Sequence, residues 1–142
     1  VNLIGEYNHN VDKKKRVFVP AEFRIGKNWV ITAGLEKCLF LFPENEWKKV
    51  TEKIMSMPLA KKDARGFSRF LLSRAKKINT DSQGRILIPE RLISFSSITS
   101  SCTFIGMVNR IELWNPDEWE KYSKKCEDSY SDLAENMTEI DF

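Results

Sequence analysis

The sequence predicts an α+β protein made of two pseudo-symmetric copies of one small β-rich motif, with an amphipathic helix connecting them. Three observations carry that prediction. The block Asn10-Val11-Asp12-Lys13-Lys14-Lys15-Arg16-Val17-Phe18-Val19-Pro20 returns 69 positions later as Asn79-Thr80-Asp81-Ser82-Gln83-Gly84-Arg85-Ile86-Leu87-Ile88-Pro89, with Asp, Arg and Pro coinciding. A second block, Leu41-Phe42-Pro43-Glu44-Asn45-Glu46-Trp47, returns as Leu113-Trp114-Asn115-Pro116-Asp117-Glu118-Trp119 at an offset of 72, which Gly34 and Gly106 share; three residues are therefore inserted in the second copy. Between the copies, Phe67, Phe70, Leu71 and Arg74 recur at helical spacing.

Each copy opens on a strand that leads into an Asp-x-x-x-Arg turn. The runs Val17-Phe18-Val19 and Ile86-Leu87-Ile88 read as short buried strands, bounded by turn residues before and proline after. Pro20 and Pro89 have fixed φ and no amide hydrogen, which suits the first position of a helix. Ala21-Glu22-Phe23-Arg24 and Glu90-Arg91-Leu92-Ile93 supply one or two turns after them. Trp29 to Thr32 and Cys102 to Ile105 then read as strands, with Cys38 to Phe42 and Arg110 to Trp114 as their antiparallel partners. Acidic residues after Pro43 and Asn115 mark helix starts; Asn115 is a good N-cap with Pro116 at the first helical position. The tryptophans Trp47 and Trp119 are placed to pack those helices back on the sheets.

These elements divide the chain into repeat 1 at 5–47, a helical connector at 48–75, repeat 2 at 76–119, and a helix end with an acidic tail at 120–142. A repeat of roughly 45 residues buries too little surface to be stable alone. Three widely spaced cysteines, Cys38, Cys102 and Cys126, offer neither a disulfide framework nor a metal knuckle. Pairing of the repeats within the chain is the remaining source of stability, and exposed apolar surface extends assembly to further copies.

Composition is that of a folded protein, with 42% hydrophobic and 30% charged residues. No stretch approaches the roughly 18 apolar residues of a membrane span, and Val1 to Glu6 lacks signal-peptide character, so a cytoplasmic, nucleoid-associated location is expected. The net charge of +3 is unevenly spread. No Lys or Arg follows Lys125, while Glu127, Asp128, Asp132, Glu135, Glu139 and Asp141 make the tail acidic; without those six charges the net becomes +9. A basic body suits a polyanion, because each phosphate neutralised releases condensed counterions.

The two turns carry the chemistry. Asp12 and Asp81 are the turn-fixing acids, able to accept amide hydrogens two residues on, and Gly84 supplies a positive φ. Arg16 and Arg85 can fork onto a guanine edge or a phosphate, with Lys13, Lys14, Lys15 and Gln83 beside them. Pairing of Asp with Arg across each hairpin is the plainer structural use of the same residues.

Three segments together resemble the MraZ family, the DNA-binding regulators of the bacterial division and cell-wall gene cluster. They are Gly5-Glu6-Tyr7-Asn8-His9, then Lys61-Lys62-Asp63-Ala64-Arg65-Gly66-Phe67 with Leu72-Ser73, and Asp81 to Pro89. The likeness runs from about Gly5 to Tyr122, outside the acidic tail. It implies two swapped-hairpin domains similar to the AbrB and SpoVT type and a ring-like homo-oligomer. It also implies binding to short direct repeats in double-stranded promoter DNA, with Arg16 and Arg85 as contact residues. Lys15 departs from the family, which usually has glycine there.

An enzyme is not expected. His9 is the one histidine, no nucleophile stands beside it in the pattern, and no Walker or GxGxxG loop is present, so neither cofactor, metal nor small-molecule substrate is implied. Two alternatives keep the fold: an AbrB-like antitoxin that binds a protein partner through the acidic tail, and an oligomeric scaffold independent of DNA.

Overall fold

The computed structural model describes residues 2–139, so Asp141 of the acidic tail lies outside the described residues. The first copy contains β1 (Leu3–Asn10), β2 (Arg16–Phe18), a 3-10 turn (Ala21–Phe23), β3 (Asn28–Ala33) and β4 (Leu39–Pro43). Helices α1 (Glu44–Met55) and α2 (Lys62–Arg74) connect it to the second copy. That copy contains β5 (Lys76–Asn79), β6 (Arg85–Leu87), α3 (Glu90–Ser96), β7 (Ser101–Val108) and β8 (Ile111–Trp114), then α4 (Pro116–Asp128) and α5 (Tyr130–Glu135).

The repeats are interleaved. Six strands form one antiparallel sheet in the order β1-β7-β8-β4-β3-β5, so the opening strand of each repeat pairs with the third strand of the other. The remaining two, β2 and β6, pair with each other as a separate ribbon. One pseudo-twofold axis relates all of this. It passes between β4 and β8, where Leu39 faces Leu113 and Leu41 faces Ile111, and through the ribbon, where Val17 faces Ile86.

Strand register also locates the inserted residues. Asn10 faces Ser101 and its equivalent Asn79 faces Asn28, which sets Asn28 against Ser101 at an offset of 73. Four residues are thus gained before β7, where the 3-10 turn of the first copy becomes the longer α3, and one is lost in the following hairpin. Gly106 faces Ile111 as Ala33 faces Leu39, so the equivalent of Gly106 is Ala33 and not Gly34. Glycine is needed at 106 because β1 crosses it closely: an added Cβ would lie 2.5 Å from the Ile4 nitrogen.

A single apolar core draws on both repeats, with Val17, Val19, Phe23, Trp29 and Leu41 beside Ile86, Ile88, Leu92, Phe104 and Leu113. Each such side chain contributes about 1.5–3 kcal/mol on burial, and much of that would be lost if the repeats separated. The helix starts follow the sequence. Asn115 Oδ1 accepts from the amides of Asp117 and Glu118, and Pro116 is the first residue of α4. Trp47 packs on Phe42 and Trp119 on Trp114, holding α1 and α4 to the strands they follow.

Three expectations change. Pro20 and Pro89 sit one position before the first helical residue, with ψ of 139° and 144°. They keep the extended ψ of the strand while their carbonyls accept from Phe23 and Leu92. Helix α2 buries Ser68 and Leu71, whereas Phe67 and Phe70 each stay 43% exposed. The Thr32 hydroxyl of β3 donates to the Leu71 carbonyl at 2.6 Å, tying the last turn of the helix to the sheet. The runs at 17–19 and 86–88 are not buried throughout. Val17, Val19, Ile86 and Ile88 face the core, but Phe18 is 39% and Leu87 53% exposed, because the ribbon covers the core with one face only.

Candidate nucleic-acid interface

The two Asp-x-x-x-Arg turns are built alike, bond for bond. Asp12 Oδ1 accepts from the amides of Lys14 (2.9 Å) and Arg16 (2.8 Å), and Asp81 Oδ1 accepts from those of Gln83 (2.9 Å) and Arg85 (2.9 Å). The second oxygen of each carboxylate accepts from the Nε of its own arginine, at 2.8 Å in both turns. The amide bonds from Arg16 and Arg85, followed by the guanidinium contacts, hold both carboxyls below their ordinary value of 3.8. The acids therefore do two things: they fix the turn and they aim the arginine. With Nε occupied, the four N–H donors on the terminal nitrogens of each guanidinium remain to meet a ligand.

The fourth position of each turn is left-handed. Gly84 has φ 88° and Lys15 has φ 66°, so the lysine adopts the conformation that glycine would supply. Its carbonyl accepts from the Ile88 amide at 2.9 Å, as the Gly84 carbonyl accepts from Val19 at 3.0 Å. Each turn is thereby bonded to the strand of the other repeat, and the left-handed residue is what points the carbonyl across.

Residues that face one another in an antiparallel pair point to the same side. Arg16 faces Leu87 and Phe18 faces Arg85, so the outer face of the ribbon is a four-residue square. Two arginines occupy one diagonal and two apolar side chains the other, and the Arg85 guanidinium lies 5.9 Å from the centre of the Phe18 ring. Arg16, Phe18 and Arg85 line a groove of about 360 Å³ with His9, Asn10, Val11 and Asp12.

The predicted site residues come together at this surface. Lys13 and Lys14 are exposed at the tip of the first turn, with Lys15 partly covered; Gln83 is exposed at the tip of the second. Arg16 and Arg85 are partly buried, with side chains 33% and 20% accessible. Sequence reading missed four residues. Phe18 and Leu87 lie in runs that read as wholly buried strands. Arg24 and Lys27 of the first repeat line a groove of about 470 Å³ with Asp81, Ser82, Gln83 and Gly84, giving the tip of the second turn the positive charge that Ser82 and Gln83 do not supply. Arg24 is held there by its Nε, which donates to the Val19 carbonyl at 2.8 Å, and its guanidinium covers Gly84. The alternation of Arg16 and Phe18 about Val17 could have found the apolar pair. No sequence signal joins Arg24 to a turn some 60 residues away.

Burial makes Cys38 and Cys102 inert: Cys38 is pushed up to about 12 and Cys102 is raised further, so both stay protonated thiols. His9 packs edge-on against Phe104. Among the described residues, no helix is long and apolar enough to cross a membrane.

A two-strand ribbon shared by two repeats, with paired acid–arginine turns and carried over a pseudo-symmetric sheet, defines a tandem-repeat protein of mixed helix and antiparallel strand. The profile of the family described as "MraZ protein, putative antitoxin-like" matches residues 3–70 and again 71–141. The protein named Transcriptional regulator MraZ from Natranaerobius thermophilus (strain ATCC BAA-1301 / DSM 18059 / JW/NM-WN-LF) is 44% identical over 141 residues, covering 98% of this chain and 99% of its own length. The chain belongs to the MraZ family. The second match extends past Tyr122 and takes in most of the acidic tail. Membership places the chain outside the enzymes.

Proposed function

We propose that the protein is a transcriptional regulator that binds double-stranded DNA through the β2–β6 ribbon and its two turns. The observation that carries this reading is the pair of guanidiniums on one face of the ribbon, each held at Nε by the aspartate of its own turn. A major groove admits a two-stranded ribbon, and a guanidinium can fork onto guanine O6 and N7 there. Lys13, Lys14 and Lys15 on one side and Arg24 and Lys27 on the other are placed to meet phosphates. Phe18 and Leu87, between the arginines, suit thymine methyl groups.

The relative's name supports regulation of transcription, and the family likeness supports short direct repeats in a division and cell-wall promoter as the target. The protein acts there as a ring-like homo-oligomer on the nucleoid. Boxes spaced near 10 base pairs would bring successive protomers to one side of the duplex.

Fluorescence anisotropy tests the reading on DNA from upstream of the protein's own gene, against scrambled DNA, across a salt series. Preference for the promoter, a steep loss with salt and failure of Arg16→Ala/Arg85→Ala are expected. Equal binding to both DNAs, unmoved by the double substitution, would refute it.

A further inference from the structure

Among the described residues two helices keep exposed apolar side chains, and the charges around them have opposite sign. On α2, Phe67 and Phe70 are each 43% exposed, Phe70 resting one side of its ring on Phe95 of α3 at 5.8 Å between centres, and Gly66 is exposed one turn before Phe70. A Cβ added at Gly66 would meet nothing within 4 Å, and the position has no positive φ. Neither backbone nor packing within the chain asks for glycine in this helix interior, where it weakens the helix relative to alanine. A residue without a side chain one turn before the exposed Phe70 permits the close approach of another helix. Lys62, Arg69 and Arg74 surround the face against the single acid Asp63, with Arg74 lying 4.8 Å from the Phe70 ring centre. Arg65 is already committed to the carbonyls of Leu59 and Ala60.

The opposite case is α5. It buries none of its six residues. Tyr130 is 75%, Leu133 45% and, just beyond the helix, Met137 46% exposed. At helical spacing these three share a side, with Asp132 and Glu135 turned the other way and Glu127, Asp128 and Glu139 close in sequence. A helix this short has little stability of its own, and an apolar side stabilises it only when something covers that side.

We propose that α5 of one protomer docks its Tyr130, Leu133 and Met137 side on the Gly66, Phe67 and Phe70 face of α2 in a second copy of this chain. The acids of the tail then stand against Lys62, Arg69 and Arg74. This rests on the homo-oligomer reading given above and names the contact that makes it. The two patches are different surfaces, so the contact is head-to-tail: each copy offers one patch to each neighbour, and the assembly ends only when a ring closes. The acidic tail is thus the joint between subunits.

Sedimentation velocity on full-length chains tests the proposal with wild type, Tyr130→Glu/Leu133→Glu and Gly66→Gln. Wild type should sediment as one closed oligomer, and both variants as monomers, with association weakened by roughly 100-fold or more. Gly66→Gln should melt no lower than wild type, because glutamine is the better helix former; its loss of assembly cannot then be loss of fold. Mixed one to one, the variants should form a dimer and nothing larger, since the first keeps an intact α2 face and the second an intact α5. A monomeric wild type would overturn the homo-oligomer reading and this contact together. An oligomeric wild type with either variant unchanged in size, or a mixture that stays monomeric, would overturn the contact alone.

Discussion

Lys15 provides the sharpest test of the turn geometry, because replacing it with glycine should raise stability and lower DNA affinity at once. A non-glycine residue in the left-handed region costs roughly 1–2 kcal/mol, and Lys15 sits there at φ 66°. Glycine removes that cost but adds chain entropy to the unfolded state, which takes back about 0.4–1 kcal/mol. The net gain from Lys15→Gly is about 0.8 kcal/mol at the centre of those ranges. In a chain near 150 residues that is a rise in Tm of about 1–4 °C. The bonds around the position should survive, because glycine keeps the carbonyl that accepts from Ile88 and the amide that donates to Asp12.

The same substitution removes one cation beside the ribbon. If that lysine meets a phosphate, the slope of log K against log salt should shrink by about 0.9. Lys15→Ala separates the two effects, since alanine keeps the left-handed strain and loses the charge: Tm should hold while the salt slope falls as in the glycine variant. Differential scanning calorimetry and anisotropy titrations over a salt series supply both readings. A Tm for Lys15→Gly below wild type would refute the strain argument, and a salt slope unchanged in both variants would remove Lys15 from the DNA surface.

The second turn predicts the converse: Gly84→Lys should destabilise by about 1–3 kcal/mol in urea unfolding, combining left-handed strain with a Cβ only 2.9 Å from the Arg24 guanidinium carbon. Gly106→Ala should lose more than about 2 kcal/mol by the same assay, because the atoms in the way are the Leu3 and Ile4 backbone. Asp12 and Asp81 have lowered folded values, so their contribution to stability is complete above 3.8 and is lost as pH falls through the lower folded value. Melting curves of Asp12→Asn/Asp81→Asn should therefore converge with wild type only in acid; a gap of constant size at every pH would count against the role of the carboxylates. Phe18→Ala and Leu87→Ala should each weaken promoter binding by about 5- to 20-fold while sparing scrambled DNA, and equal losses on both would assign them to folding instead.

The repeat was legible because each copy keeps its motif within a few consecutive residues, where Asp12 to Pro20 and Asp81 to Pro89 can be compared directly. Pairing of the two copies followed from size alone. Which strands exchange did not, since β1 with β7 and β5 with β3 is a matter of register between segments far apart in sequence. The site divides the same way. Lys13 to Arg16 and Gln83 to Arg85 were visible as turn chemistry, but Arg24 reaches the second turn only because the ribbon brings Val19 beside Gly84. Phe18 and Leu87 were hidden by a run of apolar residues that looks continuous until one face is known to be outside. Periodicity on α2 groups Leu71 with Phe67 and Phe70 but does not say which of them meets the sheet; the fold buries Leu71 and leaves both aromatics 43% exposed.

A ribbon with an exact twofold would read a box identically in both orientations, and direct repeats would hold no advantage over inverted ones. This ribbon departs from symmetry where it matters. One turn is tipped by three lysines of its own, while the other is tipped by Ser82 and Gln83, with Arg24 and Lys27 set to its side. The apolar diagonal is equally uneven, with an aromatic ring at Phe18 and a branched aliphatic at Leu87. Under the proposed function each protomer therefore prefers one orientation of its box. A head-to-tail contact between α5 and α2 would repeat that orientation from subunit to subunit, where a face-to-face contact would reverse it. Polarity in the protomer, in the assembly and in the DNA target are then one requirement. An operator with its second box inverted and its spacing kept should bind the oligomer no better than a single box does. Full affinity for the inverted operator would show that the departures from symmetry carry no orientation.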